Sequence, residues 1–228
     1  MTGAFPFPVM LFAAGFGTRM GALTRDRPKP MVEVAGRPLI DHAIDLCRAA
    51  GATRLVANVH YKPDAIIPHL RSRDVAVSHE TPEILDTGGG LRHALPLLGD
   101  GPVVTLNTDA VWTGPNPLTA LAQAWRPGMG ALLMTVPRSR THGRDGAGDF
   151  GMSDDGALSR GGDLVFTGAQ IIDPAVLGDY PDAVFSLSQV WTDLAARGAL
   201  HGIEHPGHWA DVGHPKGITA AEALLSDV

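Results

Sequence analysis

The sequence is poor in cysteine, in net positive charge and in long apolar runs. Cys47 is the only cysteine in 228 residues, so no internal disulfide framework or cysteine-based metal site is expected, and its helical surroundings predict a small core residue. The net charge of −6 and the lack of a basic stripe exclude a typical nucleic-acid-binding protein. No apolar stretch reaches the ~18 residues that span a membrane. The apolar segment 5–14 lacks the basic flank of a signal peptide, and we expect a cytoplasmic protein.

Several common site motifs are also absent. There is no G-K-[S/T], which excludes a P-loop, and Met20 stands where a dinucleotide-binding turn needs a third glycine. The ten histidines show neither H-x-x-x-H nor H-E-x-x-H spacing, so we expect no zinc site. No internal repeat and no hexapeptide β-helix tail is visible, which argues against an attached acyltransferase activity.

Short apolar runs alternate with helical patterns, which is typical of an α/β fold with a mostly parallel sheet flanked by helices. The predicted strands cover residues 9–13, 55–59, 75–78, 103–106, 131–136 and 164–172. The predicted helices cover residues 38–50, 64–71, 91–98, 187–197 and 218–225. Residues 137–163 are rich in Gly, Asp, Arg and Ser, which predicts a small insertion with a β-hairpin. We expect one domain over residues 1–228, since 44% of the side chains are hydrophobic.

The first predicted strand runs into a glycine-rich turn that ends on Arg19, and Lys29 follows ten residues later between two prolines. Gly15 and Gly17 let main-chain N–H groups approach phosphate oxygens and form an anion nest. Arg19 and Lys29 supply positive charge, and the flanking prolines are expected to hold the Lys29 backbone out of the helical region. This layout suits a nucleoside triphosphate, and an ordinary flexible loop with scattered basic residues is the alternative.

The segment LFAAGFGTRMGALTRDRPKPMVEVAGRPLIDHAI resembles the opening signature of the sugar-1-phosphate nucleotidyltransferases. Ala22 departs from that signature, which usually has proline there. Within the family, the length and the later segments DTGGGLRHALPLLGD, GDF and HWADVG are most similar to the members that use UTP and N-acetylmuramate-1-phosphate in bacterial cell-wall recycling. The resemblance implies a Rossmann-like fold, with Arg19 and Lys29 as catalytic cations.

Two aspartates far apart in the sequence each follow an apolar run, Asp109 in VVTLNTD and Asp211 in HWADVG. Carboxylates at the carboxyl edge of a parallel sheet point into the crevice where ligands bind, and a pair suits Mg²⁺. A single aspartate also fits a turn or a helix cap. In the family, the aspartates of N-G-D and W-x-D-x-G hold the catalytic metal, and Asp109 and Asp211 match them. Thr108 replaces the family's glycine, and its side chain either crowds the site or points into the sheet.

The resemblance also implies a set of substrate contacts. The nucleotide-binding candidates are Ala13, Ala14, Gly15, Gly17, Thr18, Asn58, Glu80, Gly88 and Gly89. Glu80 and Asn58 are the candidates for the edge of the base, and a solvated side chain is the alternative for each. The glycines of DTGGG open a helix that Asp86 or Thr87 can cap. The sugar-binding candidates are Asn107, Asp149, Thr167, Gly168 and Trp209, of which Trp209 either stacks on the sugar or simply packs.

The implied reaction joins an NTP and a sugar-1-phosphate, with release of pyrophosphate. If the sugar is N-acetylmuramate, its lactyl carboxylate has Arg138, Arg140, His142 and Arg144 as candidate partners. A mannose-1-phosphate guanylyltransferase and a glucose-1-phosphate nucleotidyltransferase are alternatives within the family. A non-catalytic nucleotide-sugar sensor and a metal-dependent glycosyltransferase are alternatives of other classes. The choice between monomer and homodimer stays open.

Overall fold

A computed structural model of the protein describes residues 5–226, which form a mixed α/β fold. The strands are β1 (Val9–Phe12), β2 (Glu33–Val34), β3 (Arg37–Pro38), β4 (Leu55–Val59), β5 (Ala76–His79), β6 (Val103–Asn107), β7 (Ala110–Trp112), β8 (Ala131–Pro137), β9 (Thr141–His142), β10 (Phe150–Met152), β11 (Leu158–Arg160), β12 (Leu164–Ile172), β13 (Leu200–Glu204) and β14 (Trp209–Asp211). The α-helices are α1 (Leu39–Ala49), α2 (Pro63–Ser72), α3 (Asp86–Leu98), α4 (Pro117–Ala124), α5 (Leu187–Ala196) and α6 (Pro215–Ser226). Short 3₁₀ helices cover Thr18–Thr24, Lys29–Met31, Arg138–Arg140 and Pro174–Asp179.

The main sheet is mostly parallel around β1, as the alternation of strands and helices predicts. Strands β6, β1, β4 and β5 lie side by side and run parallel, with Val9 opposite Leu55 on one side and Val104 on the other. Strand β12 is antiparallel to β6 and β8, and β13 runs parallel to β8. The carboxyl ends of β1, β4 and β6 therefore meet at one edge of the sheet.

Helices cover both faces of this sheet, which is why its strands are continuous apolar runs. Val9 and Leu11 belong to a buried cluster with residues of α1 and α2, whereas Met10 points the other way, into a cluster with α3 and α5. Cys47 lies in the first cluster, and burial raises the pKa of its thiol to about 12. The prediction of a core cysteine is confirmed. Within residues 5–226, no helix is long and apolar enough to cross a bilayer.

The predicted strands are all present, and each boundary lies within one residue of its prediction. The largest difference among the helices is at α3, which begins at Asp86, so the glycine trio lies inside the helix. The predicted hairpin is β10–β11, and it pairs with the start of β12, which makes it part of the main sheet. The prediction missed α4 and the strands β2, β3, β7, β9, β13 and β14. A second sheet, β7–β14–β9, was among the features missed.

Candidate active site

Two cavities open at the carboxyl edge of the main sheet, and both are lined by Arg19, Asn107 and Asp109. The first, which we name the loop cavity, has a volume of about 400 Å³ and is lined by the glycine-rich turn, Lys29 and Ile84. The second, the hairpin cavity, has a volume of about 300 Å³. Its remaining lining residues are Arg144, Asp149, Phe150, Arg160, Phe166, Gly168, Ser188, Trp191, Trp209 and Asp211. Of the two residues predicted to be catalytic, Arg19 therefore lies where the two cavities meet, and Lys29 lines the loop cavity.

The second sheet brings the two aspartates together. Strand β14 pairs antiparallel with β7, which places Asp211 opposite Ala110, and the Val212 N–H donates to the Asp109 carbonyl at 2.8 Å. The Lys29 ammonium donates to Asp109 Oδ2 at 2.5 Å. Lys29, Asp109 and Asp211 come from three distant parts of the chain, and the fold joins them in one charged cluster.

Asp211 lies in an unfavourable environment for a negative charge. Burial raises the pKa of the Asp211 carboxyl above its ordinary value, and the charge of Asp109 raises it further, while Lys29, Arg19 and Arg144 act in the opposite direction. A Cβ on Gly213 would lie 2.9 Å from Asp211 Oδ2 and 3.3 Å from Arg19 Nη1, so glycine at this position leaves room for both groups. No group of three or more His, Cys, Asp or Glu side chains in residues 5–226 is arranged to hold a metal.

The two glycines of the glycine-rich turn have different surroundings. Gly17 has a φ of +63°, and a Cβ there would lie 2.9 Å from Lys29 Cβ, so glycine lets the turn and the lysine pack together. A Cβ on Gly15 would meet nothing within 4 Å, and Gly15 lines the loop cavity with Ala13 and Thr18. Ala14 is buried.

The expectation that prolines keep Lys29 out of the helical region is wrong. Lys29 begins the 3₁₀ helix Lys29–Met31, because only Pro28 is extended, with a ψ of 154°, and Pro30 fits within the first helical turn.

The sequence left open whether the Thr108 side chain crowds the site or points into the sheet. Its hydroxyl donates to the Phe12 carbonyl at 2.8 Å, so the side chain is directed at the end of β1, and the 3% exposed residue still forms part of the lining of the loop cavity.

Asn58 and Glu80 are buried supports and do not lie at the edge of a ligand. The Asn58 side chain accepts from the Ala13 N–H at 2.8 Å and donates to Glu80 Oε1 at 2.7 Å. The other oxygen of Glu80 accepts from the Leu85 N–H at 2.8 Å, and Glu80 is 0% exposed. The structure therefore corrects the prediction of direct base contacts: this pair fixes the backbone at the start of the glycine-rich turn.

Gly88 and Gly89 also have a packing role in this structure. A Cβ on Gly88 would lie 2.4 Å from the Phe185 ring, and one on Gly89 would lie 2.2 Å from the Ala183 carbonyl. These glycines let α3 pack against the segment before α5 and do not line the loop cavity. The predicted side-chain cap of α3 is absent as well, because the Thr87 hydroxyl accepts instead from the Leu187 N–H at 3.0 Å.

The predicted sugar contacts divide into cavity residues and sheet residues. Asp149 lines the hairpin cavity and accepts from Arg144 at 2.7 Å and from the Phe166 N–H at 2.9 Å. A Cβ on Gly168, whose φ is +85°, would lie 2.6 Å from Asn107 Cβ, so glycine there makes room for Asn107.

Thr167 and Trp209 differ from their predicted roles. The Thr167 hydroxyl donates to the Met134 carbonyl at 2.7 Å, and the residue is 0% exposed, so it belongs to the sheet. Trp209 lines the hairpin cavity but is only 5% exposed and packs with Val136 and Val165. Stacking on a sugar face needs an exposed ring, so we assign Trp209 to packing.

Sequence reasoning missed several cavity residues. Ile84 lines the loop cavity, and Arg160, Ser188 and Trp191 line the hairpin cavity. The last three come together because strand β11 packs against helix α5, and no local pattern in the sequence announces a contact between two such distant segments.

Comparison with known proteins identifies the family. The model of the MobA-like NTP transferase domain matches residues 9–224. The chain belongs to this family. It is 41% identical to the N-acetylmuramate alpha-1-phosphate uridylyltransferase of Caulobacter vibrioides, over 97% of this chain and 98% of that protein. The resemblance to sugar-1-phosphate nucleotidyltransferases is confirmed.

Other similar proteins have other substrates in their names. The chain is 28% identical to the mannose-1-phosphate guanyltransferase of Aspergillus oryzae, over 94% of this chain, and it spans 63% of that protein's length. The solved inositol-1-phosphate CTP transferase of T. maritima has a TM-score of 0.80 at 17% identity, covering 96% of this chain and 94% of that one. This structural likeness confirms the predicted Rossmann-like fold class.

Proposed function

We propose that this protein transfers a uridylyl group from UTP to N-acetylmuramate-1-phosphate, giving a nucleotide sugar and pyrophosphate. The observation that carries the proposal is the meeting of the loop cavity and the hairpin cavity at Arg19 and Asp109. A reaction that joins two phosphorylated substrates needs two adjoining binding spaces with a charged centre between them. The choice of UTP and of N-acetylmuramate-1-phosphate rests on the 41% identity to the Caulobacter enzyme.

The reaction is an in-line displacement at phosphorus. An oxygen of the sugar phosphate forms a bond to the α-phosphorus of the NTP, the bond to the β-phosphate oxygen breaks, and pyrophosphate leaves. The attacking oxygen is already ionised at neutral pH, so no general base is needed. The main barrier is repulsion, since like charges ~4 Å apart cost about 4 kcal/mol at an effective dielectric of 20.

The side chains at the junction are suited to lowering this repulsion. The Lys29 ammonium lines the loop cavity beside Asp109 and would contact the sugar phosphate or the α-phosphate, and Arg19 would neutralise the leaving pyrophosphate. The backbone N–H groups of the Gly15–Gly17 turn would bind the outer phosphates. Holding both substrates in this orientation accounts for much of the expected rate enhancement.

We further propose that Asp109 and Asp211 hold Mg²⁺. The fit rests on the raised pKa of Asp211, to which burial and the Asp109 charge contribute, because a cation relieves the strain between two neighbouring carboxylates. Mg²⁺ typically takes one or two carboxylates and completes its coordination with phosphate oxygens and waters. When bound, the ion would supply charge neutralisation between the two phosphate groups.

A pyrophosphate-release screen tests the proposal. Each of ATP, CTP, GTP and UTP is paired with N-acetylmuramate-, N-acetylglucosamine-, glucose- and mannose-1-phosphate, and Asp109→Asn serves as the inactive control. We expect the strongest release with UTP and N-acetylmuramate-1-phosphate. The strongest release with GTP and mannose-1-phosphate would assign the chain to the guanylyltransferases, and no release with any pair would favour a non-catalytic sensor.

A further inference from the structure

We propose that Arg160 is the specificity-determining residue of the hairpin cavity and binds a carboxylate carried by the sugar. This inference rests on the proposed function and deepens it, because it assigns a subsite for an anionic substituent that is separate from the sugar's phosphate. Sequence reasoning named Arg138, Arg140, His142 and Arg144 for this task, and the structure favours none of them.

Each of the four residues that the sequence suggested for the carboxylate either has a partner within the protein or lies outside the hairpin cavity. The Arg140 guanidinium donates to Glu204 and to the Pro206 carbonyl, and His142 pairs with His208 at 3.0 Å. Arg138 lies 3.9 Å from Asp163 and does not line the hairpin cavity. Arg144 does line this cavity, but it forms an ion pair with Asp149 at 2.7 Å.

Arg160 forms no direct ion pair with the described residues that line the hairpin cavity. Arg144 is paired with Asp149, and among the ion pairs of residues 5–226 Arg160 has no carboxylate within 4.0 Å. The charges that act on Asp211 are those of Asp109, Lys29, Arg19 and Arg144. Arg160 and Arg19 are the arginines of this cavity that form no ion pair within the described residues. The charge of Arg19 acts on Asp211, whereas the charge that acts on Arg160 is that of Asp149, so Arg160 stands apart from the cluster that would handle phosphate.

The Arg160 side chain is held in one orientation. Its Nε donates to the Thr192 hydroxyl at 3.1 Å, and its Nη2 donates to the Ser188 hydroxyl at 2.7 Å and to the Ser188 carbonyl. The guanidinium carbon lies 5.0 Å from the centre of the Phe150 ring and 5.8 Å from that of Trp191. Its Nη1 makes no hydrogen bond within the described part of the chain, so this nitrogen is available to an acceptor in the cavity.

An arginine with these properties suits a carboxylate better than it suits a neutral hydroxyl. Two of its nitrogens are fixed by α5, so little side-chain entropy is lost when a ligand binds. Charge-assisted hydrogen bonds are roughly twice as strong as neutral ones. The lactyl ether of N-acetylmuramate carries such a carboxylate, whereas N-acetylglucosamine lacks it and is otherwise the same sugar.

Steady-state kinetics with saturating UTP and Mg²⁺ test the proposal on N-acetylmuramate-1-phosphate and N-acetylglucosamine-1-phosphate. For the wild type, kcat/KM should favour the first sugar, and the preference should fall as ionic strength rises. Arg160→Gln should reduce the ratio of the two kcat/KM values by at least about tenfold, mainly through KM of the first sugar, and Arg160→Lys should restore part of it. Arg197→Gln, on an exposed arginine that follows α5, is the matched control.

The outcomes separate this proposal from the proposed function. A wild type that uses both sugars with equal kcat/KM, or an Arg160→Gln variant that loses both activities in proportion, would overturn the carboxylate subsite while leaving the uridylyl transfer intact. Should Arg160→Gln fail to fold, the wild type's preference for N-acetylmuramate-1-phosphate over N-acetylglucosamine-1-phosphate, and the effect of salt on that preference, still test whether the cavity recognises the carboxylate. No turnover of UTP with any sugar-1-phosphate would instead overturn the proposed function.

Discussion

At the scale of single residues, the cluster around Asp109 contains both an attractive and a repulsive pair of charges. Lys29 contacts Asp109 directly, and Asp211 is brought beside it by strand pairing. The raised pKa of Asp211 shows that the fold holds this carboxyl where ionisation is costly. Such an arrangement is typical of functional sites, where charged groups are held in place for binding or catalysis although they lower the stability of the fold.

Lys29→Ala should lower kcat by roughly 100-fold, the scale of losing one preorganised electrostatic group. The lysine is in place before substrate binds, because Gly17 packs on its side chain and its ammonium donates a hydrogen bond to Asp109. Lys216→Ala, on an exposed lysine of α6, is the control and should keep full activity. Turnover within a few-fold of wild type in a folded Lys29→Ala protein would remove this lysine from the mechanism.

Asp109→Asn and Asp211→Asn should each abolish Mg²⁺-dependent turnover, and the double variant should be little worse than either single one. Two groups that hold one ion act as a unit, so their effects do not add. The measurement is kcat over a Mg²⁺ titration for all three variants. If the two losses multiply, the aspartates do not share an ion.

Ionised Asp211 should destabilise the metal-free protein. A carboxyl whose pKa is higher in the folded than in the unfolded state lowers the free energy of unfolding when it ionises. This loss of stability begins as the pH rises past the ordinary pKa of 3.8 and is complete above the raised pKa of the folded state. Asp211→Asn should therefore raise Tm at pH 7 in the presence of a chelator, and the gain should vanish at pH values below that window. Calorimetry at several pH values measures both effects, and a lower Tm for the variant at pH 7 would contradict the assignment.

At the scale of elements, the glycines of the chain divide into two kinds. Gly15 faces the open loop cavity, whereas Gly89 lets α3 approach the backbone at Ala183. Both were predicted to bind nucleotide, because a sequence shows where backbone is bare but not what lies against it. The structure distinguishes a glycine that leaves room for a ligand from one that leaves room for another segment.

Gly89→Ala should lower the free energy of unfolding by roughly 1–3 kcal/mol, because its Cβ meets a backbone carbonyl that cannot move easily. Gly15→Ala should leave the free energy of unfolding unchanged and raise KM for the nucleotide, since its Cβ has free space within the cavity. Urea denaturation and steady-state kinetics on both variants provide the comparison. A destabilised Gly15→Ala protein, or a stable Gly89→Ala protein, would reverse the assignment.

The predictable elements are those with a strong local signal. The central strands are buried on both faces and therefore stand out as apolar runs. Helix α4 was missed although it has a start signal, since Asn116 caps its first turn and Pro117 occupies its first position. Strands β7 and β14 have three residues each and are held by partners about one hundred positions away, so no local period marks them.

At the scale of the whole molecule, the candidate site divides in the same way. Sequence motifs predicted Lys29, Arg19, Asp109 and Asp211 as site residues. In the fold, Arg19 and Asp109 line both cavities, Lys29 lines the loop cavity and Asp211 lines the hairpin cavity. The sequence did not show that the Glu80 side chain is buried, which is why Glu80 was predicted to contact the ligand. Arg160 was missed because its role depends on packing between β11 and α5. Local motifs therefore indicate candidate charged residues, whereas the residues that line a cavity through long-range packing are visible only in the fold.

The central claim is that the junction serves a uridylyl transfer to N-acetylmuramate-1-phosphate. The most direct test is kcat/KM of the purified wild type with UTP and N-acetylmuramate-1-phosphate, compared with GTP and mannose-1-phosphate under the same conditions. We predict a preference of at least about tenfold for the first pair, which corresponds to ~1.4 kcal/mol of differential transition-state binding. Equal efficiencies, or a preference for GTP and mannose-1-phosphate, would contradict the account.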